Sequence, residues 1–453
     1  MGNLFATINS TAGSLKAFES ALEVASNNIT NAQTPGFARQ GLTLIASRMD
    51  LADGLPGGVS TGGLLNSRKS YLEQGVRVQL HREGYHLQQA FNLEQAEPIL
   101  DIGSSSGISG ALDALQQAFS QLSVTPNDLP ARQNVISRAE DVAHAFNFTA
   151  QALANAATNT DSELTQSVNA INRIGQLLRD LNVEFRSDSR KLTDPGLDAQ
   201  VHSAFDELAG VVDFTVVRGD DGSYSVLLGG QTPLVMGENF YPLSTDLSTS
   251  EPALLDAAGH DITDQIRGGK LRAVLEFRRD VLSALSSELN LLAAQVADQI
   301  NLQLQAGVDL NGQPPARDLF TYDSQTGEAL TLSVTDITPE ELAAALPGAP
   351  GGNGNTLNLS GLFNSRSVNS FTFTQYFGEI AGRVGKQLDL ARQDARTQSQ
   401  LVAQSKALRA EASGVSLDEE AANLIVFQRA YQAAAQLIRT LDEMTDTLIN
   451  IKR

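Results

Sequence analysis

The chain has 453 residues, enough for two or three domains, and 42% of them are hydrophobic, which suffices for ordinary packed cores. Its net charge of −20 argues against sequence-independent binding to nucleic acid, because phosphates would repel it, and no basic run or long apolar stretch predicts a membrane patch or a spanning helix. The chain has no cysteine, which excludes disulfides and fits either a cytoplasmic protein or one threaded unfolded through an export channel.

Residues 3–33 are predicted to form one helix, and they lack the basic and apolar regions of a cleaved signal peptide. The apolar positions follow the alternating spacing of four and three residues that is typical of a left-handed coiled coil. These seam positions are Leu4, Ile8, Thr11, Leu15, Phe18, Leu22, Ala25 and Ile29. The opposite face is polar but nearly uncharged, which suits contact with neighbouring subunits; it carries Asn9, Ser14, Ser20, Asn27 and Asn28. Pro35 and Gly36 end the helix and form a first predicted hinge.

The middle of the chain is predicted to be mostly helical, with one β-rich part. Residues 38–46 are predicted to form a strand, and the glycine-rich stretch from Gly54 to Gly63 to form turns. Helical periodicity fills residues 71–100, 108–122, 129–185, 197–211 and 268–306. Residues 211–266 are β-rich, with a hairpin that turns at Asp221-Gly222.

Residues 307–370 have no sustained period and are predicted to be irregular. The pattern indicates a turn at 309–312, a strand at 329–334, a short helix that Thr338 caps and Pro339 begins, and a flexible connector at 347–355. A long helix follows over 372–412, and Ser413 and Gly414 break it as a second predicted hinge.

Ser416 is predicted to cap a last helix that carries a second seam with the same heptad spacing. This seam consists of Leu424, Phe427, Tyr431, Ala434, Ile438, Leu441, Thr445 and Leu448. Two seams at opposite ends of the chain indicate that the middle loops out and brings the ends together. We therefore predict a mainly α fold with a terminal N/C coiled-coil helix pair, a long-helix bundle and a small β-rich section, in a subunit that assembles through its termini.

No catalytic, cofactor or metal site is predicted. The closest pair among His81, His86, His144, His202 and His260 is five residues apart, which does not match the zinc spacing on a helix. A calcium loop at Asp309 would place Phe320 where the twelfth-position glutamate belongs. Arg218-Gly219-Asp220 is an adhesion-like tripeptide, but it lies where a hairpin must turn, which accounts for it without a role in adhesion. The glycines at 351–354 lack the lysine that a phosphate-binding loop requires. A solvated acidic surface explains the many carboxylates better than a catalytic pair.

Two terminal segments resemble a known family. Residues 21–37 (ALEVASNNITNAQTPGF) are similar to the N-terminal signature of flagellar axial proteins, which comprise rod, hook and hook-associated proteins. Residues 413–433 (SGVSLDEEAANLIVFQRAYQA) resemble the C-terminal signature of the FlgK family of hook-associated proteins, and residues 268–278 and 309–312 agree with that family more loosely.

The resemblance implies a structural adaptor without enzyme activity at the hook–filament junction of the extracellular bacterial flagellum. It implies export by the flagellar type III apparatus and an export chaperone that binds the seam from Leu424 to Leu448. Its expected partners are copies of itself in a ring or layer, the hook protein and the next hook-associated protein, without nucleic acid or membrane insertion.

The family also implies a division into domains. Residues 1–35 and 416–453 would form the terminal core domain D0, and residues 36–210, 267–310 and 371–415 the helical domain D1. Residues 211–266 would be a β-rich subregion, and 311–370 a reduced insert or connector.

Two alternatives stay open. The chain could be another axial protein, such as a hook or distal rod subunit, although the helical middle favours the junction protein. It could also be a cell-wall hydrolase that carries an axial module, which would require an acid pair or metal ligands that the sequence does not mark.

Overall fold

Long helices dominate the structure, a computed structural model that describes residues 2–50, 55–100, 107–249 and 251–451. The chain is 65% helical, which confirms the predicted mainly α fold class. The α-helices are α1 (Gly2–Thr30), α2 (Ser70–Ala96), α3 (Ile108–Val124), α4 (Leu129–Ser187), α5 (Pro195–Val211), α6 (Gly269–Glu276), α7 (Leu282–Gln305), α8 (Glu328–Thr331), α9 (Gly354–Leu362), α10 (Phe373–Ser413) and α11 (Leu417–Ile451). A π-helical turn, Phe277–Val281, joins α6 to α7.

The strands among the described residues are short and pair antiparallel. They are β1 (Gln40–Ala46), β2 (Met49–Asp50), β3 (Leu55–Pro56), β4 (Val59–Asn66), β5 (Phe214–Arg218), β6 (Tyr224–Leu228), β7 (Thr232–Met236), β8 (Asn239–Phe240), β9 (Ser244–Asp246), β10 (Ala253–Leu255), β11 (Phe320–Thr321) and β12 (Ser333–Val334). Strands β5 to β8 form one sheet in chain order, and the pairs β1–β4, β2–β3, β9–β10 and β11–β12 form two-stranded ribbons. The predicted hairpin at Asp221-Gly222 is confirmed, since β5 pairs with β6 around it.

The stretch from Gly54 to Gly63 was predicted to form turns, and this prediction was wrong for its second half. Gly62 and Gly63 lie within β4, which pairs with β1 across a register shift between Leu42 and Leu44. A Cβ on Gly62 would lie 3.0 Å from Cβ of Thr43, so the glycine permits the two strands to approach closely at this irregularity. Gly54 lies outside the described residues.

Two separate hydrophobic cores hold the long helices together. The first core joins α3, the first half of α4, α7, α9 and the first half of α10, and the second core joins the rest of α4 to α5, α6 and the β5–β8 sheet. Helices α2, α4 and α10 contribute side chains to both cores. Neither core contains a side chain of α1 or α11, so the terminal helices lie outside the central packing.

Residues 311–370 pack into the first core through buried side chains that include Leu319, Phe320, Leu342, Leu359 and Phe363. The predicted strand at 329–334 was wrong for most of its length, because residues 328–331 form α8 and only Ser333 and Val334 form a strand. Asn290 Oδ1 accepts a hydrogen bond from the Ala329 N–H at 3.0 Å and thereby caps this short helix.

The helix predicted to begin at Pro339 is a turn instead. The buried guanidinium of Arg132 donates to the carbonyl oxygens of Pro339, at 3.1 Å, and Leu342. A continuing helix would need those carbonyls for its own N–H groups. Arg132, which is 1% exposed, also donates to the Pro126 carbonyl at 2.7 Å, so backbone carbonyls satisfy this buried guanidinium and its bonds favour the turn.

Candidate assembly interface and joint

Helices α1 and α11 pack against each other, so the structure brings the two ends of the chain together as predicted. Ala21 and Ala25 of α1 line the same groove as Asn423 and Phe427 of α11. The end of α1 therefore lies beside the start of α11, and the two helices run antiparallel.

The large predicted seam residues lie on these two helices, and most of those that the structure describes are not fully buried. Leu441 is buried, with 7% exposure. The following are half-buried: Leu4, Ile8, Leu15, Phe18, Leu22, Ile29, Leu424, Phe427, Tyr431 and Ile438. Leu448 lies in α11, but its side chain is outside those that the structure describes. A single chain thus covers most of the surface of these seam side chains but leaves part of each accessible to water.

The most deeply buried positions of α1 are small or polar: Thr11, Ser14, Ala17, Ala21, Ala25 and Asn28. The β1–β4 ribbon packs on this side of the helix. Asn28 Nδ2 donates to the Gln40 carbonyl at 2.8 Å, and Asn28 Oδ1 accepts from the Gln40 N–H at 2.9 Å. Ser14 Oγ accepts from the Val59 N–H at 2.9 Å. The prediction that Ser14 and Asn28 face neighbouring subunits was therefore wrong, because the ribbon of the same chain occupies them.

A second apolar stripe runs along α11 beside the seam. Val426, Leu437 and Met444 are 60%, 48% and 50% exposed. Their spacing of eleven and seven residues places them on one side of the helix. Three large apolar side chains in one exposed line are more than the scattered apolar residues of an ordinary surface.

The two predicted hinges lie side by side. Helix α1 ends at Thr30 and α10 ends at Ser413. The Arg39 N–H donates to the Ser413 carbonyl at 2.9 Å, and the Ser67 N–H donates to the Arg39 carbonyl at 3.0 Å. The two connections between the terminal helices and the bundle therefore lie next to each other, and a backbone hydrogen bond from Arg39 to Ser413 joins them.

Gly36 is held in the left-handed backbone region, with φ of +75°, against α5. A Cβ at this position would lie 2.2 Å from the Ala199 carbonyl oxygen. Gly36→Ala is expected to lower the free energy of unfolding by at least about 1–3 kcal/mol, because the loop must shift as well as take a strained backbone. Urea denaturation measures this loss.

The matched control is Gly63→Ala in β4, where a Cβ meets nothing within 4 Å. That variant is expected to stay within about 0.5 kcal/mol of the unaltered chain. Equal stabilities for the two variants would contradict the requirement for glycine at Gly36.

A cluster of charged side chains lies beneath the two hinges, and we call it the joint cluster: Arg68, Glu73, Asp198, Asp206 and Arg409. Arg68 donates to the Gly36 carbonyl, to Glu73 Oε1 at 2.7 Å and to Asp198 Oδ2 at 2.7 Å. Arg409 donates to Glu73 Oε2 at 3.1 Å and pairs with Asp206 at 2.9 Å. The Glu73 side chain is 2% exposed, so these pairs are largely removed from water. The cluster ties the first hinge to α2, α5 and α10.

Sequence reasoning missed the joint cluster, although the chain contains a signal for it. Glu73 shares one face of α2 with Val76 and Leu80, at a spacing of three and seven residues. A carboxylate on the apolar face of a helix is expected to be paired.

His202 lies beside the joint cluster as a neutral ring. Burial, together with Arg68, Arg77, Arg409 and Arg218, lowers the pKa of His202 to about 2. Its Nε2 is 3.6 Å from Asp198 and its Nδ1 is 3.9 Å from Glu73, too far for strong hydrogen bonds. Burial also raises the pKa of Asp206, against the opposing effect of Arg409.

The depressed pKa of His202 predicts that the fold loses stability in mild acid. Below pH 6.5 the unfolded chain binds a proton at this histidine that the folded chain does not, so stability falls as pH falls. From pH 7 to pH 5 the loss from this group is about 2 kcal/mol. Asp206 opposes the trend, because its raised pKa favours the folded state in acid.

His202→Gln is expected to reduce the difference in unfolding free energy between pH 7 and pH 5 by that amount, measured by urea denaturation. The control is His260→Gln, since the His260 side chain is 78% exposed. A pH dependence that His202→Gln leaves unchanged would assign the acid sensitivity to other groups.

Within the described ranges, no group of three histidine, aspartate or glutamate side chains is arranged to hold a metal ion. In the same part of the chain, no helix combines the length and apolar character that a bilayer crossing requires. Asp309 instead forms a turn, in which its Oδ1 accepts from the N–H groups of Asn311 and Gln313.

Comparison with known families matches three segments of the chain. Residues 93–320, half of the chain, match the helical domain of the flagellar hook-associated protein FlgK. Residues 8–37 match the flagella basal body rod protein family, and residues 404–451 match the C-terminal family of the flagellar basal body rod proteins FlgEFG. The two rod matches cover most of α1 and all of α11.

Whole proteins and a solved structure agree with these segments. Flagellar hook-associated protein 1 of Bacillus subtilis is 24% identical, with 99% of each chain covered, and that of Escherichia coli is 23% identical, with 98% of this chain and 99% of that protein covered. The structure of the flagellar hook junction protein FlgK from Burkholderia pseudomallei superposes with a TM-score of 0.68 at 16% identity, over 74% of this chain and 99% of that one. The chain belongs to the FlgK family of flagellar hook-associated proteins and is a structural component of the bacterial flagellum.

Proposed function

We propose that the chain is the adaptor subunit between hook and filament and that it assembles through its paired terminal helices. The observation that carries this proposal is the position of α1 and α11, which pack on each other outside both hydrophobic cores. A helix pair that contributes nothing to the core of its own chain is available to form a core with other copies.

The incomplete burial of the seam supports this assembly. The large seam residues of α1 are only half-buried in the single chain, and Phe5 is 53% exposed. The stripe of Val426, Leu437 and Met444 adds further apolar surface on α11. Covering these side chains with a neighbouring copy would contribute on the order of 1.5–3 kcal/mol for each one fully buried, before the cost of association.

The proposed partners are copies of this chain in a ring or layer, the hook protein on one side and the next hook-associated protein on the other. Export in an unfolded state by the flagellar type III apparatus agrees with a chain that has no cysteine to cross-link. An export chaperone would cover the same apolar side chains of α11, from Leu424 onward, before assembly. The final location would be the hook–filament junction outside the cell.

The proposed division follows the two hinges. D0 comprises residues 1–35 and 416–453, D1 comprises 36–210, 267–310 and 371–415, and the β-rich subregion comprises 211–266. Residues 311–370 would be a reduced insert, and their packing in the first core attaches them to D1. Pro35, Gly36, Ser413 and Gly414 would set the angle between D0 and D1.

A deletion strain tests the junction role. Loss of the gene is expected to leave bare hooks and to release flagellin monomers into the medium, and the unaltered chain is expected to restore filaments. Bare rods without hooks would instead indicate another axial subunit. Release of soluble fragments from peptidoglycan by the purified protein would indicate a cell-wall hydrolase.

The apolar stripe is tested in the same strain. A variant with Val426→Ser and Met444→Ser is expected to fold normally, because both side chains are exposed. Cells that express it are expected to retain few filaments. The control replaces Gln428 and Gln432, exposed residues of α11 away from the stripe, by alanine. Equal filament counts for the two variants would exclude the stripe from the interface.

A further inference from the structure

The two hydrophobic cores are interrupted along α2 and α4, whereas on the α6–α7 segment they meet between Leu275 and Phe277. On α2, the second core ends at Leu80 and the first begins at Ala90. On α4, the first core ends at Leu153 and the second begins at Leu164. Each helix therefore has a stretch of about ten residues that contributes no fully buried apolar side chain to either core.

Polar side chains lie within or next to this interval, and we call them the waist: Gln88, Asn92, Thr160 and Glu163. Gln88 Nε2 donates to Asn92 Oδ1 at 2.6 Å and to Glu163 Oε2 at 3.0 Å. Asn92 Nδ2 donates to the Ala273 carbonyl of α6 at 3.2 Å. Gln88, Asn92 and Thr160 are buried, and the hydrogen bonds of Gln88 and Asn92 connect α2 to α4 and α6 at this level, beside the apolar side chains of Leu93 and Phe277.

The π-helical turn lies at the same level. The Leu282 N–H donates to the carbonyl of Phe277, five residues earlier, where an α-helix would pair residues four apart. Such a turn accommodates one extra residue and is a common place for a helix to bend. The carbonyl that Asn92 contacts, Ala273, belongs to the last turn of α6 just before it.

Two cavities adjoin the waist. One of about 520 Å³ is lined by Asn92 and Asn155, and one of about 290 Å³ is lined by Leu93 and Ala391. Phe277, the first residue of the π turn, lines both. The helices are therefore separated by open space on two sides of the waist.

We propose that the helical body bends at the waist, so that the first and second cores move as two rigid halves. Close-packed apolar side chains resist sliding, because any displacement opens voids. Amide side chains, by contrast, can exchange hydrogen-bond partners over small displacements. The two cavities provide space for such displacements. The π turn allows the α6–α7 segment to change direction while it keeps its helical hydrogen bonds. This inference concerns the isolated subunit and stands apart from the assembly role.

Distance measurements between spin labels test the bend, since a chain without cysteine accepts labels only where cysteines are introduced. Glu140→Cys with Gln200→Cys spans the waist, and Gln176→Cys with Gln200→Cys lies within the half that contains the second core; all three positions are exposed. The distance distribution across the waist is expected to be about twice as wide as the control distribution. Equal widths would overturn the proposal.

Deletion of Asp280, an exposed residue of the π turn, is expected to convert the turn to α-helix and to narrow the wide distribution to the control width. If that variant fails to fold, a second variant with Gln88→Leu and Asn92→Leu joins the two cores with apolar side chains, and Glu163 keeps Lys270 as its partner at 3.0 Å. This double variant is expected to narrow the distance distribution across the waist to the control width, as the deletion of Asp280 does. A folded variant with an unchanged wide distribution would place the bend elsewhere.

Discussion

Leu441→Asp is expected to abolish filament retention while the helical body of the subunit stays folded. Among the large seam side chains that the structure describes, Leu441 of α11 is the most buried, with 7% exposure. Removing its apolar contacts and placing a carboxylate there costs about 3–5 kcal/mol. The two hydrophobic cores contain no residue of α1 or α11, so the substitution leaves their packing unaltered.

Complementation of the deletion strain measures this effect as the fraction of cells with filaments, and far-UV circular dichroism of the purified variant monitors the helical body. Leu22→Asp on α1 is expected to give the same result from the other side of the pair. The control is Gln432→Asp, which adds the same charge at an exposed position of α11. Normal filaments with Leu441→Asp would refute the seam as the assembly surface.

Arg68→Ala is expected to destabilise the connection between the terminal helices and the bundle by about 3–5 kcal/mol, because it leaves buried carboxylates short of a partner. The Arg68 side chain is 10% exposed and contacts Glu73, Asp198 and the Gly36 carbonyl at once. Arg409 remains to pair with Glu73 but does not reach Asp198 in the structure.

Thermal and urea denaturation measure the loss, and hydrogen exchange of the amides at Arg39 and Ser67 reports whether the hinge strands separate. Arg68→Lys is expected to recover only part of the stability, because one ammonium cannot replace a forked guanidinium with three partners. The control is Arg138→Ala, which breaks an exposed pair with Asp141 and is expected to change stability by less than about 1 kcal/mol. A similar small effect from Arg68→Ala would show that the cluster does not hold the joint.

The parts of the fold that were predicted correctly depend on local patterns. Heptad spacing identifies the terminal helices and their apolar faces, and Asp221-Gly222 identifies the β5–β6 turn. Both are properties of consecutive residues, which a sequence displays directly. The packing of α1 on α11 follows because neither amphipathic helix can bury its seam alone.

The parts that were missed depend on residues far apart in the chain. Strand β4 looks like turns in the sequence, because the close approach of Thr43 on β1 that accounts for Gly62 is visible only in the structure. The turn at Pro339 depends on Arg132, more than two hundred residues earlier. Local preference for a helix was outweighed there by the need of a buried guanidinium for acceptors.

Prediction of the assembly interface from the sequence was limited in the same way. The large seam residues could be identified from spacing, but the faces that the chain covers by itself could not, because the β1–β4 ribbon returns to α1 through Asn28 and Ser14. The joint cluster also draws its members from three separate segments, so only Glu73 was marked by its position on an apolar face.

The paired hinges have a mechanical consequence. Two connections join the terminal helices to the bundle, and the Arg39 N–H of one donates to the Ser413 carbonyl of the other. A single peptide connection swivels about its own bonds, whereas two connections fastened side by side cannot turn independently. The terminal helices are therefore expected to resist rotation about the joint relative to the bundle.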